Sequence, residues 1–152
     1  MATQTTVPLT VRSLDFSENG HIPKKYSCEG ENINPSLEIS GFPKETKTLT
    51  LIVEDPDASR GTFYHWLVWN IPPNSAINEN SNPGISGKNS FGKTGYGGPC
   101  PPSGSHRYFF KVYALDTELD LQTEADKSAL DEAMHGHIIA EGELMGKYQK
   151  EK

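Results

Sequence analysis

The chain has 152 residues, 34% of them apolar, with 14 Gly, 11 Pro and a net charge of −6, a loop-rich globular composition that suits one domain with its own core. Lys and Arg are scattered, Lys24–Lys25 being the only adjacent basic pair, so there is no electrostatic footprint for nucleic acid, and no run approaches the ~20 apolar residues of a membrane span. The start, MATQTTVPLT, carries no basic or apolar leader, and two cysteines, Cys28 and Cys100, make no disulfide framework, so the expectation is a pair of reduced thiols in a cytoplasmic protein.

TVRSLDF (10–16) and SLEIS (36–40) read as flanking strands. LTLIVE (49–54) places Leu49, Leu51 and Val53 on one face and Thr50, Ile52 and Glu54 on the other. YHWLVWNI (64–71) and RYFFKVYAL (107–115) are apolar on both faces, as interior strands of a covered sheet are. The stretch from 71 to 106 is rich in Gly, Pro and Asn; a connection that long is a functional loop or hides short elements. Thr123 is read as a helix N-cap with Asp126 three residues on, followed by an apolar stripe of Ala125, Ala129, Leu130, Ala133 and Met134 and a stop at Gly136. HIIAEGELMGKY (137–148) alternates and reads as a returning strand. A mostly-β chain with one short late helix predicts an antiparallel β-sandwich, a single domain over 1–152.

Two strands joined by a short connection pair antiparallel, so Asp55, at the finish of one, and His65, at the start of the next, belong to the same end of the sheet. Strict parity puts Asp55 on the Leu51/Val53 face and His65 on the Leu67/Trp69 face, and a bulge in the connection would change either. His106 and Tyr108 open a third apolar strand directly after GYGGPCPPSGS. The expected cup holds Asp55, Asp57, His65, His106 and Tyr108, with free amides near Gly97 and Gly98. A carboxylate on His65 would raise its pKa, and the imidazolium with the amides would suit an anion such as phosphate.

The segments CEGENINPSLEISGFP (28–43), VEDPDA (53–58), YHWLVWNIP (64–72), FGKTGYGGPCPPSGSHRYFFKVYALD (91–116) and HIIAEGELMGKY (137–148) resemble, in order and spacing, the phosphatidylethanolamine-binding protein family, which includes Raf kinase inhibitor protein. The likeness is to its compact prokaryotic branch and covers nearly the whole chain. It implies a β-sandwich with a small anion pocket formed by Asp55, Asp57, His65, His106, Arg107 and Tyr108, rimmed by Gly98 and Pro99. Three departures stand out. Ser59 occupies a position where the family has proline, often after a cis bond, which would cost roughly 2.5–4 kcal/mol before serine. Phe63 and Tyr64 replace a typical tryptophan, and Phe63 walls the pocket without an indole donor. The long C-terminal helix of the larger branch is missing, which leaves the pocket open or covered by a second copy in a homodimer.

The function implied is a non-enzymatic module for a phosphate-bearing ligand: a headgroup, a nucleotide or a phosphorylated protein, with inhibition of a protein kinase or protease as the family-level expectation. No cofactor or metal is required. Two alternatives stay open. Asp55, His65 and Ser103 or Ser105 have the chain order of one hydrolase type, without a Gly-x-Ser-x-Gly elbow; and Asp55, His65 and His106, or His135 and His137, could hold a metal.

Overall fold

In this computed structural model, which describes residues 6–73 and 76–150, the apolar runs become the interior of one sheet. The readings of residues 1–5 as leaderless and of the outermost ends of the domain lie outside the described residues. The strands are β1 (Val7–Pro8), β2 (Thr10–Arg12), β3 (Gly20–His21), β4 (Leu37–Ser40), β5 (Thr48–Asp55), β6 (Phe63–Ile71), β7 (Ala76–Ile77), β8 (Ile85–Ser86), β9 (Ser105–Leu115) and β10 (Ile138–Gln149), with a helix α1 (Lys127–Met134) before the last. The main sheet runs β1-β10-β9-β5-β6-β8, with β3 also on β10, and a small sheet runs β2-β4-β7. The central pairs are antiparallel, whereas β1 and β3 lie parallel to β10. The result is the mostly-β sandwich with one short helix that the sequence pattern predicts.

The central strands are apolar on both sides because both sides are covered. Leu49, Leu51 and Val53 of β5 pack with Val68, Phe110 and Val112 against Leu37 and Ile39 of the small sheet. Ile52, Leu67, Trp69 and Leu115 face the other way and are closed over by Leu130 and Met134 of α1. The helix begins later than the sequence pattern suggests. Its N-cap is Asp126, whose Oδ1 accepts from the Ala129 amide at 3.0 Å, while Thr123 spends its hydroxyl on the Ser86 carbonyl at 3.0 Å. Glu124 between them is left-handed, at φ +75°, so the chain is still turning where a Thr123 cap would need it to start the helix.

The 71–106 connection hides the short strands β7 and β8 and a bridge between Lys88 and Thr94. No cis peptide bond occurs among the described residues, so Ser59 sits in an all-trans turn. β6 carries the irregularity that matters most: Val53 pairs with Trp66 but Glu54 with Tyr64, leaving His65 as an extra residue.

Candidate functional site

Three strand ends meet at one end of the main sheet: the finish of β5 and the starts of β6 and β9. Between them and the 87–102 loop lies a cavity of about 190 Å³ lined by Asp55, Phe63, His65, His106 and Tyr108, together with Ala58, Ser59, Phe91, Cys100, Pro101 and Pro102. Strict alternation would have turned His65 to the helix side with Leu67 and Trp69. The bulge shifts the pattern by one residue, and that shift lets the imidazole share a cavity with Asp55.

The carboxylate–imidazole pairing differs from the expected one. Asp55, 3% exposed, accepts from His106 Nδ1 at 2.6 Å and from the Asp57 amide at 2.8 Å. His65, also 3% exposed, instead donates from Nδ1 to the Gly97 carbonyl at 2.8 Å. A carbonyl can only accept, so Nδ1 carries the proton and Nε2 is left bare in the neutral ring. Burial pushes the His65 pKa down, and the Gly97 hydrogen bond and the Asp55 charge only partly oppose it. The predicted upward shift is therefore reversed, because desolvation outweighs a carboxylate that is engaged elsewhere.

The expected free amides are also committed. Gly97 N donates to the His65 carbonyl at 3.0 Å, and Gly98 N to Asn32 Oδ1 at 2.8 Å. Gly98 and Pro99 are buried behind the cavity wall and do not line it. A Cβ on Gly98 would lie 2.2 Å from the Tyr26 carbonyl oxygen, so its role is close backbone packing. Asp57 also stands outside the lining. Arg107 grips it in a fork, Nε to Oδ2 at 2.9 Å and Nη2 to Oδ1 at 2.8 Å, and this holds the carboxyl at about 2.

The sign of that shift is stabilising above the ordinary 3.8 and fades as pH falls toward about 2. The pair is solvent-exposed, so Asp57→Asn should cost under about 1 kcal/mol in urea unfolding at pH 7, and progressively less as pH falls from 3.8 through about 2. A larger loss at pH 7 would mean that the Asp57 turn shapes the cavity.

Aromatic rings frame the rest. The Phe63 centroid is 4.9 Å from His65 and 4.8 Å from Phe91, and Tyr108 meets His65 edge-on at 5.2 Å. The Tyr108 hydroxyl is buried without a hydrogen-bond partner among the described residues, and burial with the Asp55 charge pushes its ionisation far up, so it stays a neutral donor.

The cysteines are not reduced. Cys28 and Cys100 form a disulfide with Cα atoms 5.4 Å apart, because Cys28 N donates to the Pro99 carbonyl at 3.1 Å and so brings two distant loops into register. Nothing local in the sequence marks this pairing or the place of Phe91 in the cavity wall. The two alternative sites do not assemble. Ser103 and Ser105 are exposed and outside the lining. Ser59 lines the cavity but makes no hydrogen bond to either imidazole, and among the described residues no three His, Cys, Asp or Glu side chains gather as a metal set. His137 instead pairs with Asp116, Nδ1 to Oδ1, at 2.9 Å.

Comparison with known proteins agrees with this architecture. A UPF0098 protein of Pyrococcus horikoshii is 50% identical over 146 residues, covering 89% of this chain and 74% of that one. A UPF0098 protein of Methanothermobacter thermautotrophicus is 45% identical over 150 residues, covering 93% and 99%. The crystal structure of a phosphatidylethanolamine-binding protein homolog from Chlamydia trachomatis superposes with a TM-score of 0.91 at 45% identity, covering 95% of this chain and 99% of that one. An Escherichia coli member of the mammalian family gives 0.87 at 30% identity, covering 94% and 99%. With the model of the phosphatidylethanolamine-binding protein family matching residues 12–149, the chain belongs to that family.

Proposed function

We propose that the chain is a non-enzymatic binding protein whose cavity takes the phosphate of a small ligand or headgroup. The observation that carries this reading is the commitment of both imidazoles. Nδ1 of His65 and Nδ1 of His106 are each spent on protein acceptors, so Nε2 is the nitrogen each ring has left for a ligand. The cavity, about 190 Å³, is smaller than the roughly 300–1,000 Å³ of pockets for drug-sized molecules; it fits a headgroup, not a whole lipid. No hydroxyl or thiol in it is paired with a base, which favours binding over hydrolysis.

Electrostatics then dictate a pH dependence. No Lys or Arg lines the cavity, Arg107 is held by Asp57, and Asp55 contributes a negative charge. A phosphate dianion therefore needs a proton, either on His65 Nε2 or carried in on the ligand, whose second ionisation lies near about 6 for a phosphate ester. Binding is linked to proton uptake, so affinity for phosphorylethanolamine should rise by up to about tenfold per pH unit as pH falls from 8 to 6. Calorimetric titration in two buffers of different ionisation enthalpy measures the proton count. His65→Asn should weaken binding, and whatever pH dependence remains in it measures the proton carried in on the ligand. A saturable signal that ignores both pH and His65 would sink the reading, as would no binding at all.

Capture of a phosphorylated partner, and through it restraint of a protein kinase or protease, belongs to the same proposal, as does association into a homodimer. A cytoplasmic site is part of it too, in a cell that keeps intracellular disulfides, as hyperthermophiles do. No helix among the described residues is long and apolar enough to cross a membrane.

A further inference from the structure

The bond between Cys28 and Cys100 lies at the surface. Cysteine is among the side chains most often buried, yet both members of this pair are exposed. Cys100 lines the cavity of about 190 Å³, and Cys28 lines a separate depression of about 340 Å³. Exposed disulfides are the labile ones, open to attack by a thiolate from solution.

The loops that carry the two cysteines do not need the bond to stay together. Cys28 N donates to the Pro99 carbonyl at 3.1 Å, and Gly98 N to Asn32 Oδ1 at 2.8 Å. Ser27 Oγ ties the first loop to β10 through the Tyr148 hydroxyl at 2.9 Å. Opening the S–S bond therefore leaves two sulfurs side by side in a folded chain, ready to close again.

We propose that Cys28 and Cys100 form a thiol–disulfide exchange site for a small aminothiol, which becomes attached to Cys100 in the cavity. The incoming thiolate attacks Sγ of Cys100, the S–S bond breaks, and its electron pair leaves on Cys28 as a thiolate. Attack by Cys28 on the mixed disulfide reverses the step and expels the aminothiol. Attack by a second aminothiol instead releases the aminothiol disulfide, and its two electrons and two protons stay on Cys28 and Cys100 as thiols.

Charge decides which cysteine carries the adduct. Lys93 is the one charged side chain lining the depression at Cys28, and a neighbouring ammonium stabilises a thiolate. Glu29, next in the chain, has its carboxylate engaged by the Tyr148 hydroxyl. On the other side, the Asp55 carboxylate lines the cavity. It opposes a thiolate on Cys100 and attracts the ammonium of an aminothiol attached there. The cavity is too small for a drug-sized molecule, which limits the adduct to a thiol of the size of cysteamine.

The test holds wild-type protein at pH 8, without denaturant, in a series of cysteamine concentrations. Samples are quenched with iodoacetamide, weighed intact and mapped by digestion. The rate of disulfide opening should rise in proportion to cysteamine, in protein that keeps its near-ultraviolet circular dichroism. A plateau at the unfolding rate measured by urea jumps would show that the bond opens only in the unfolded chain, and would overturn the proposal. In the quenched intermediate, cysteamine should sit on Cys100 with Cys28 alkylated about fivefold more often than the reverse. Equal occupancy, or a preference for Cys28, overturns the assignment of the adduct. Mercaptoethanol lacks the ammonium and should give about threefold less adduct on Cys100 at equal thiolate concentration; parity with cysteamine overturns the aminothiol class. Lys93→Gln, at an exposed position, should narrow the preference for Cys100 with Tm unchanged, and an unaltered ratio removes Lys93 from the account. All of these readouts are covalent, so they stand or fall separately from phosphate binding.

Discussion

Replacing Cys28 and Cys100 together by serine is expected to lower the free energy of unfolding by about 2–4 kcal/mol and Tm by roughly 5–15 °C. The bond closes a loop between residues 72 apart in sequence, so its loss enlarges the unfolded ensemble much more than it loosens the native state. In the native state the two loops stay joined by other means. Cys28 N donates to the Pro99 carbonyl at 3.1 Å, Gly98 N to Asn32 Oδ1 at 2.8 Å, and Tyr96 Oη to the Tyr26 carbonyl at 2.7 Å. The cavity wall should therefore survive, and phosphorylethanolamine affinity should change by less than about threefold, well under 1.4 kcal/mol. Urea unfolding of oxidised wild type, dithiothreitol-treated wild type and the double variant separates these effects; the last two curves should coincide. A tenfold loss of affinity in the variant would show that the bond itself shapes the cavity.

The sandwich was legible because its signals are periodic and local. Leu49, Leu51 and Val53 alternate with Ile52, and both faces are apolar because one meets the small sheet and the other α1. The meeting of three strand ends followed from connection length, which brought Asp55, His65 and His106 together on paper and brings them together in the cavity. What sequence could not supply was which partner each polar group takes. One bulged residue decides the face of His65. The Gly97 and Gly98 amides look free in a glycine-rich loop, yet a carbonyl of β6 and the side chain of Asn32 claim them. Cys28 and Cys100 meet because loops distant in sequence share backbone hydrogen bonds, which no spacing rule encodes. Phe91 was invisible for the same reason: its position depends on the absence of a side chain at Gly97.

Asp55 is where stability and binding should separate most clearly. Asp55→Ala should cost about 2–4 kcal/mol in urea unfolding at pH 7, because a buried carboxylate with a charge-assisted bond to His106 and a second bond from the Asp57 amide is lost at once. Asp55→Asn keeps the shape and can still accept from the Asp57 amide, so its cost should be smaller, about 1–2 kcal/mol. Its effect on binding has the opposite sign. An amide removes the one negative charge of the lining, and it no longer requires a donor at His106 Nδ1, so Nε2 of that ring can carry the proton and donate to a ligand. Inorganic phosphate should then bind Asp55→Asn severalfold more tightly than wild type at pH 8, with a flatter pH profile, although the protein itself is less stable. The ammonium of phosphorylethanolamine is attracted by the Asp55 charge in wild type and loses that attraction in the variant, so that ligand should gain less than inorganic phosphate does. Phosphorus NMR titrations of both ligands at pH 6 and 8 read the difference. Loss of inorganic phosphate binding in Asp55→Asn would mean that the carboxylate accepts the proton the phosphate brings in, and that the imidazoles stay neutral in the bound state.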